Sequence, residues 1–553
     1  MNMLLCHAAA INEETRPRLQ ESLFVTAAAP ELPTPTPLTQ RFFDILAWLT
    51  VALALWVAFW RFQAFNFFVY DDTYIVLRYA KNFLEHGQLA WNLGEAVEGY
   101  TNPLHLVLIV VLGALGMDLL DAARLINLLS YIGFAAVLFF ALWRFRGFTA
   151  ALLVAGLSLA NPAMIAWIWG GMEVPFSVFL LAVAQAVMMR VILDPAQRTD
   201  KNAIIAAIFF GLAFWNRPDN ALYAVPAGIM WLLWNQRKNT VLFGGIFAGM
   251  VAAHTLIRIL FYGDVVPNTF YAKVVGTPAV TLANGFQYVW EGISTSPYYY
   301  AIGFAAIAMI LLFHKPLRAY AFYALGSIML GAAYVVSIGG DFMPGHRFIM
   351  PWLPLCLLSI GVLLDKVKPA LHYTGLIGCL LIMKAMFVLP DDLKAMDGTA
   401  MAGEKVGQYI QANWPKGSVV ALNAAGAIPY VNMDKTFVDM LGLNDKHIAR
   451  RTMPDLKIAW QHKPGHGKGD GAYVLTRQPD YIIFGSVAGD NGFETPMLPS
   501  DAELSTLPEF KRCYAQVKTD VDWPESLIKR YEIKEKTFVF AYYKRGCPKT
   551  EAK

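Results

Sequence analysis

Residues 104–115 read LHLVLIVVLGAL, an unbroken apolar run that starts directly after Pro103. A helix needs about 20 such residues to cross roughly 30 Å of hydrocarbon, so this run is too short to cross upright. Its placement nevertheless decides the topology of the whole chain. If it does not span, the cationic loops Arg144-Phe145-Arg146, Arg198 with Lys201, Arg237-Lys238, Lys315 to Arg318 and Lys366 to Lys368 all fall on one side of the membrane, as cytoplasmic loops do. Counting it as a span scatters them. The run is therefore expected to lie in the outer interface as an amphipathic or re-entrant helix.

Outward from that point, longer apolar stretches recur at about 42–64, 124–143, 148–168, 174–193, 202–216, 219–235, 240–261, 298–313, 317–337, 347–364 and 370–389. These predict eleven spans, a cytoplasmic N-terminus and an extracytoplasmic C-terminal domain. Composition agrees: of 553 residues, 56% are apolar and only 16% charged, against about 25% charged in soluble proteins. That excludes an ordinary cytosolic enzyme. Charge is also uneven, since residues 390–553 carry 22 of the 45 Lys and Arg and 21 of the 41 Asp and Glu. Three regions follow. Residues 1–40, proline-rich near their end, read as a disordered cytoplasmic tail; 41–389 form the membrane domain; 390–553 form a soluble periplasmic domain large enough for its own core. A net charge of +4 is too small and dispersed to indicate nucleic acid as a partner.

Within the last region, Val406 to Asn413 reads as an amphipathic helix, and Ser418 to Leu422, Thr436 to Met440, Tyr481 to Phe484 and Thr537 to Tyr543 read as strands. An α/β domain is the expectation. Cys513 and Cys547 lie there and can pair if the compartment is oxidising; Cys6, Cys356 and Cys379 lie in the tail or in apolar segments.

The charge bookkeeping places the polar motifs on the outer face. Asp71 and Asp72 follow the first span directly. Adjacent carboxylates repel unless something uses them. One can serve as a general base toward a hydroxyl, or the pair can cap the helix that starts near Thr73. Arg217, Arg258, Lys273 and Arg347 lie at or near outer helix ends. Such cations can grip a phosphate, or they can pair with Asp219, Asp264 and Asp341 nearby. Glu173 and Asp341 each follow paired glycines, which permit close approach of a ligand or of backbone. His466 and Lys468 sit in Pro464-Gly-His-Gly-Lys-Gly-Asp470, which lacks the spacing of a phosphate-binding P-loop. It is either a surface loop or one that dips toward the membrane site. No HExxH, CxxC or GxSxG occurs, so zinc and serine-hydrolase chemistry lack support.

Four motifs taken together resemble the GT-C membrane glycosyltransferases: Asp-Asp-Thr-Tyr at 71–74, Asn-Leu-Gly-Glu at 92–95 with Glu-Gly-Tyr-Thr-Asn-Pro-Leu-His at 98–105, Pro-Asn-Thr-Phe-Tyr-Ala-Lys at 267–273, and Gly-Gly-Asp-Phe-Met-Pro-Gly-His-Arg-Phe at 339–348. Within that superfamily the chain is most similar to the branch of terminal arabinofuranosyltransferases and pilin arabinosyltransferases, a likeness that Val438 to Asn444 and Pro464 to Lys468 share.

The resemblance implies a polytopic α-helical fold with juxtamembrane helices in the first outer loop. It also implies an enzyme of the bacterial cytoplasmic membrane that moves a sugar from a polyprenyl-phosphate donor to a hydroxyl of a pilin or a cell-envelope glycan. Arabinofuranose is the sugar expected first. A mannosyl-type hexose transferase is the alternative, and a lipid-linked sugar flippase a more distant one. Asp71 or Asp72 would be the base, with Asp71 favoured by its nearness to the first span. The candidate substrate- and donor-phosphate-binding residues are Arg217, Arg258, Lys273, Arg347, His346, Asn268, Tyr271, Glu173, Asp341, Tyr100, Asn102, His105, His466 and Lys468. The resemblance makes no cofactor certain. A divalent metal at the acidic pair is conceivable, although two carboxylates are few ligands.

Overall fold

A computed structural model describes residues 37–273, 278–296, 298–365, 398–458, 460–489 and 496–549, together with Phe387, Leu389 and Leu393. The expected tail and the expected span at 370–389 lie almost wholly outside the described residues.

The first half is helical. Helix α1 (Pro37–Ala64) is followed by α2 (Asp71–His86), α3 (Pro103–Ala114), α4 (Leu119–Arg146), α5 (Phe148–Leu159), α6 (Pro162–Gly170), α7 (Val174–Leu193) and α8 (Asp200–Asn216). Helices α9 (Ala224–Leu233), α10 (Arg237–Tyr262), α11 (Asn268–Lys273), α12 (Pro278–Thr295), α13 (Tyr299–Phe313), α14 (Arg318–Ile338) and α15 (Leu353–Asp365) complete this body. The decisive run 104–115 forms α3, a 12-residue helix, too short to cross a bilayer upright.

Eleven spans are not reached among the described residues. Five segments are long and apolar enough to cross: Asp44–Ala64, Leu119–Arg146, Val174–Leu193, Arg237–Tyr262 and Lys315–Ile338. Two bent pairs raise the number to at most seven: α5 with α6, at 51°, and α12 with α13, at 91°. Hydropathy runs through these breaks because it counts apolar residues and not backbone continuity. Asn161-Pro162 ends α5 and caps α6, and Arg217-Pro218 separates α8 from the 10-residue α9. The chain is a multi-pass membrane protein.

The C-terminal region opens with α16 (Thr399–Asn413) and contains β1 (Val419–Leu422), α17 (Ala427–Val431), β2 (Thr436–Asp439), α18 (Lys446–Arg450), α19 (Gly471–Thr476), β3 (Tyr481–Ile483), α20 (Pro499–Thr506), α21 (Pro508–Cys513), β4 (Tyr514–Asp522), α22 (Glu525–Tyr531) and β5 (Thr537–Arg545). The sheet order is β2-β1-β3-β5-β4. Strand β1 pairs parallel with β2 and β3, while β5 runs antiparallel to β3 and β4. The α/β expectation holds, and four of the five strands stand where apolar runs put them. Strand β4, YAQVKTDVD, escaped the sequence reading because most of its side chains are polar and exposed at the sheet edge. Cys513 and Cys547 form a disulfide, with a sequence separation of 34.

The two regions share one core. A continuous buried cluster contains Tyr74, Leu77 and Trp91 alongside Val406, Ile428 and Phe437. Tyr74 lies against Tyr430 with ring centroids 5.2 Å apart, and Trp91 against Phe437 at 6.0 Å. A second, smaller cluster that includes Val438, Ile482 and Phe510 belongs to the α/β domain alone. The α/β domain is therefore docked by apolar burial, the main favourable contribution to association.

Candidate active site

Asp71 and Asp72 form the first turn of α2, where free N–H dipoles favour negative charge. The helical body fixes this turn: Tyr70 N–H donates to the Gly170 carbonyl at 3.2 Å, and Thr73 Oγ1 donates to the same oxygen at 2.6 Å. From here the two carboxylates part. Asp71 Oδ2 accepts from Gly426 N–H at 3.0 Å and Asp71 Oδ1 from Ala427 N–H at 2.9 Å. It thereby caps α17 of the α/β domain. The approach is close enough to require glycine, since a Cβ at 426 would stand 2.0 Å from the Asp71 carbonyl oxygen.

Two turns further along α2, the buried Arg78 takes the other end of α17. Its Nη1 donates to the carbonyls of Pro429 and Asn432, Nη2 donates to Lys435 O at 3.2 Å, and Nε donates to Trp91 O at 2.7 Å. An acid at the N-terminus and a guanidinium at the C-terminal carbonyls both complement the dipole of α17.

Asp72, like Asp71, lines a cavity of about 1300 Å³ between the helical body and the α/β domain. The body contributes Arg217, Asp219, Arg258, Lys273, Asp341 and Arg347 to its wall; the soluble domain contributes Asn423, Trp460, His466 and Ser486. Burial pushes the Asp72 carboxyl above the ordinary range, opposed by the positive charges of Lys273 and Arg347.

Three of the four expected cations are paired. Arg217 forms a fork on Asp219, with Nε–Oδ1 3.1 Å and Nη2–Oδ2 3.2 Å, and bonds Glu173 Oε1 through Nη1 at 2.8 Å. Arg347 Nε and Nη2 both lie 2.6 Å from Asp341 Oδ2. Arg258 grips Glu98 through Nε at 2.5 Å and Nη2 at 3.2 Å. Asp264, the sequence neighbour expected to pair with Arg258, instead pairs with Arg450 of the soluble domain. Burial opposes the charge on Glu173 and Asp341, but Arg217 and Arg347 outweigh it, and both carboxyls fall below the usual value. Lys273 is the exception: among the described residues it has no ion pair. Burial, and then repulsion from Arg347, lower its pKa, with Asp72 and Asp341 opposing.

The remaining candidates divide between this site and its scaffold. His466 lines the cavity, its ring 4.6 Å from Phe342 and 5.1 Å from Trp460, and burial lowers its pKa. The loop 464–470 thus dips toward the site. Lys468 does not follow, because its ammonium donates to Arg451 O at 2.8 Å. Asn268 is a clasp between domains: its Nδ2 donates to Gly442 O at 2.8 Å and Leu443 O at 2.9 Å. Tyr271 donates to Asp264 Oδ1, Tyr100 bonds Tyr262, and Asn102 Nδ2 donates to Glu173 Oε2 at 3.1 Å. His105 is buried beside Phe176, and His346 lies against Tyr288 beside a separate small cavity. These six, with Glu173, do not line the large cavity.

Sequence reasoning missed Arg78, Asn423, Trp460 and Ser486. Arg78 carried a usable signal, a lone arginine in an otherwise apolar stretch of α2; the other three carried none, because their loops meet the helical body only in three dimensions. A metal does not suit the acidic pair. Asp71 is bonded to two backbone N–H groups, Asp72 is flanked by cations, and among the described residues no group of three or more His, Cys, Asp or Glu side chains could hold an ion.

Comparison with known proteins bears on the same regions. Residues 394–538 match the model of a domain of unknown function (DUF8728). The chain is 27% identical over 374 residues to a terminal beta-(1->2)-arabinofuranosyltransferase of Corynebacterium glutamicum, covering 57% of this chain and 51% of that protein. It is likewise 27% identical over 361 residues to the protein of the same name from Mycobacterium tuberculosis, covering 56% and 55%. The chain thus spans about half the length of each relative. In fold it is similar to ArnT from Cupriavidus metallidurans, in a crystal structure bound to undecaprenyl phosphate: TM-score 0.53, 14% identity, 73% of this chain and 88% of that one. By sequence the chain is similar to proteins named terminal arabinofuranosyltransferases, and by fold it is similar to ArnT.

Proposed function

We propose that the protein is a glycosyltransferase of the bacterial cytoplasmic membrane that takes a pentose, arabinofuranose first, from a polyprenyl-phosphate carrier and transfers it to an acceptor hydroxyl on the outer side. The observation that carries this reading is the juxtaposition, on one cavity, of the Asp72 carboxylate and the Lys273 ammonium, neither of which has an ion pair among the described residues, backed by Arg347. The sugar follows the names of the curated relatives, and the carrier follows the undecaprenyl phosphate bound to the similar fold. The disulfide supports an oxidising, extracytoplasmic location for the soluble domain.

In this mechanism the donor phosphate lies at Lys273 and Arg347, whose charges stabilise the departing phosphate oxygen. The anomeric C–O bond to phosphate breaks and its electron pair stays on that oxygen. The acceptor oxygen bonds to the anomeric carbon and gives its proton to Asp72. The transition state has oxocarbenium character, as in glycoside hydrolysis. Asp71 holds the soluble domain in place and does not exchange protons. Arg217, satisfied by Asp219 and Glu173, supports the site from behind.

The test is transfer from a radiolabelled polyprenyl-phosphate pentose in membranes containing the protein. Asp72→Asn should reduce transfer roughly 10²- to 10⁴-fold, and Lys273→Ala should weaken donor use. A wild-type protein that transfers nothing, or an Asp72→Asn variant with full activity, would overturn the reading.

A further inference from the structure

Strand β4, YAQVKTDVD, is an outermost strand of the sheet. It pairs with β5 along its whole length, without a bulge, and among the described residues no strand lies on its other side. In an antiparallel ladder successive residues turn their N–H and C=O groups alternately toward one neighbour and away from it. Four hydrogen bonds fix that phase here. Gly546 N–H donates to Cys513 O at 2.7 Å and Trp523 N–H to Lys536 O at 2.9 Å, so the odd-numbered residues of β4 are the ones that bond β5. Ala541 and Arg545, which stand opposite Lys518 and Tyr514, donate the other way, to Ala488 O and Asp480 O at 2.9 Å each. Gln516, Lys518, Asp520 and Asp522 therefore aim their backbone groups outward from the sheet edge, and all four residues are exposed.

A long, regular edge of this kind is a template for another strand. The order of its charges makes it complementary to itself. Two copies paired antiparallel, with Thr519 opposite Thr519, set Lys518 opposite Asp520 of the second copy and Gln516 opposite Asp522, all of them residues whose backbone groups point outward. Moving the axis to Lys518 or to Asp520, the neighbouring registers that keep this phase, sets like charges directly opposite, which is destabilising. Within one chain Lys518, Asp520 and Asp522 form no ion pair among the described residues. Helix α22, between β4 and β5, is tied to the C-terminal end of α1: Arg530 Nη1 donates to Ala64 O at 3.0 Å, and its guanidinium lies 4.2 Å from the centre of the Phe67 ring. Two copies in one bilayer thus hold their β4 edges at the same height, and confinement to the membrane raises their effective concentration.

We infer that the free edge of β4 is a dimer interface, at which two copies of this chain pair antiparallel about Thr519 and join their sheets into one. Lys518 and Asp520 select the register, and the outward backbone groups of Gln516, Lys518, Asp520 and Asp522 supply the hydrogen bonds.

The test uses the full-length protein, in membranes and in detergent. Non-hydrogen-bonded partners in an antiparallel pair have Cα atoms about 4.5 Å apart, within reach of a disulfide, so mild oxidation of membranes should link Thr519→Cys into a covalent dimer. Lys529→Cys, at an exposed position of α22, should stay single. By light scattering in detergent, Lys518→Glu should weaken dimerisation about 10-fold, because two cross-strand attractions become repulsions. The exchange Lys518→Asp with Asp520→Lys should restore it, and unchanged melting of both variants separates lost pairing from lost folding. A wild-type protein that is a single chain at every concentration, with no cross-link of Thr519→Cys, would overturn the inference. So would a dimer indifferent to Lys518→Glu, or cross-linking of Thr519→Cys to a different polypeptide, which would assign the edge to a foreign strand.

Discussion

Substitution of the two adjacent aspartates should separate stability from catalysis. Asp71 accepts two backbone hydrogen bonds, from Gly426 at 3.0 Å and Ala427 at 2.9 Å, and hydrogen bonds to a charged group contribute about 1.5–3 kcal/mol each. Asp71→Ala removes both and leaves two buried donors unmet, so a loss of at least about 3 kcal/mol in docking of α17 is expected. That corresponds to roughly 10²-fold in the opening equilibrium. Asp72→Asn should do the reverse. Burial raises the Asp72 carboxyl, and a group raised on folding contributes stability that is present below its unfolded pKa and lost as pH rises through the folded one. Above its folded pKa the ionised wild-type side chain therefore costs stability, and asparagine relieves that cost.

The assay is amide hydrogen exchange at residues 426 and 427, alongside thermal unfolding and transferase activity in one detergent preparation. Asp71→Ala should lose about 100-fold of protection there and unfold earlier. Asp72→Asn should keep wild-type protection at 426 and 427 and melt later than wild type, while losing transfer. The reasoning is refuted if Asp71→Ala leaves protection at 426 and 427 unchanged, or if Asp72→Asn exposes them.

Other consequences can be checked separately. The rate profile against pH should be bell-shaped, with its acid limb above the ordinary carboxylate value of 3.8 and its alkaline limb below the ordinary lysine value of 10.5, because burial raises Asp72 and lowers Lys273. Kinetics of Asp72→Asn and Lys273→Arg should remove one limb each. Arg78→Leu should destabilise the docked domain by about 3–5 kcal/mol, since it strips a buried guanidinium from the carbonyls of Trp91, Pro429, Asn432 and Lys435; limited proteolysis would then release the α/β domain. Loss of the Cys513–Cys547 bond, which closes a loop of 34 residues, should cost about 4 kcal/mol in the loop-entropy model, measured by unfolding of the Cys513→Ser, Cys547→Ser double variant. Chelation with EDTA should leave transfer unchanged, because the acidic pair is bonded to N–H groups and flanked by cations; a loss restored by Mg²⁺ or Mn²⁺ would contradict this.

The order of residues was enough to read a membrane body, a short non-spanning helix at 103–114, and an α/β domain with strands at β1, β2, β3 and β5. Each of these depends on local apolar periodicity, which neighbours in sequence determine. Among the described residues five to seven segments are long and apolar enough to cross, against the eleven expected, and periodicity does not register the backbone breaks at Asn161-Pro162 or Arg217-Pro218. The motifs bearing Arg217, Lys273, Asp341 and Arg347 were legible as charges at helix ends, and the pairings Arg217–Asp219 and Arg347–Asp341 were foreseeable from proximity along the chain. The partner of Arg258 was not, since Glu98 lies 160 residues away.

What the sequence determined by itself was which groups were available: an acidic pair beside a span, cations on the rim, and a charge-rich domain to close over them. The tertiary structure decided what each group does. Two identical, adjacent carboxylates meet different surroundings because successive residues of a helix point about 100° apart: both line the cavity, but Asp71 is bonded to the N–H groups of α17 while Asp72 faces the charges of Lys273 and Arg347. Arg217 and Arg347 pair with acids close to them in the chain and Arg258 with the distant Glu98, whereas Lys273 has no ion pair among the described residues.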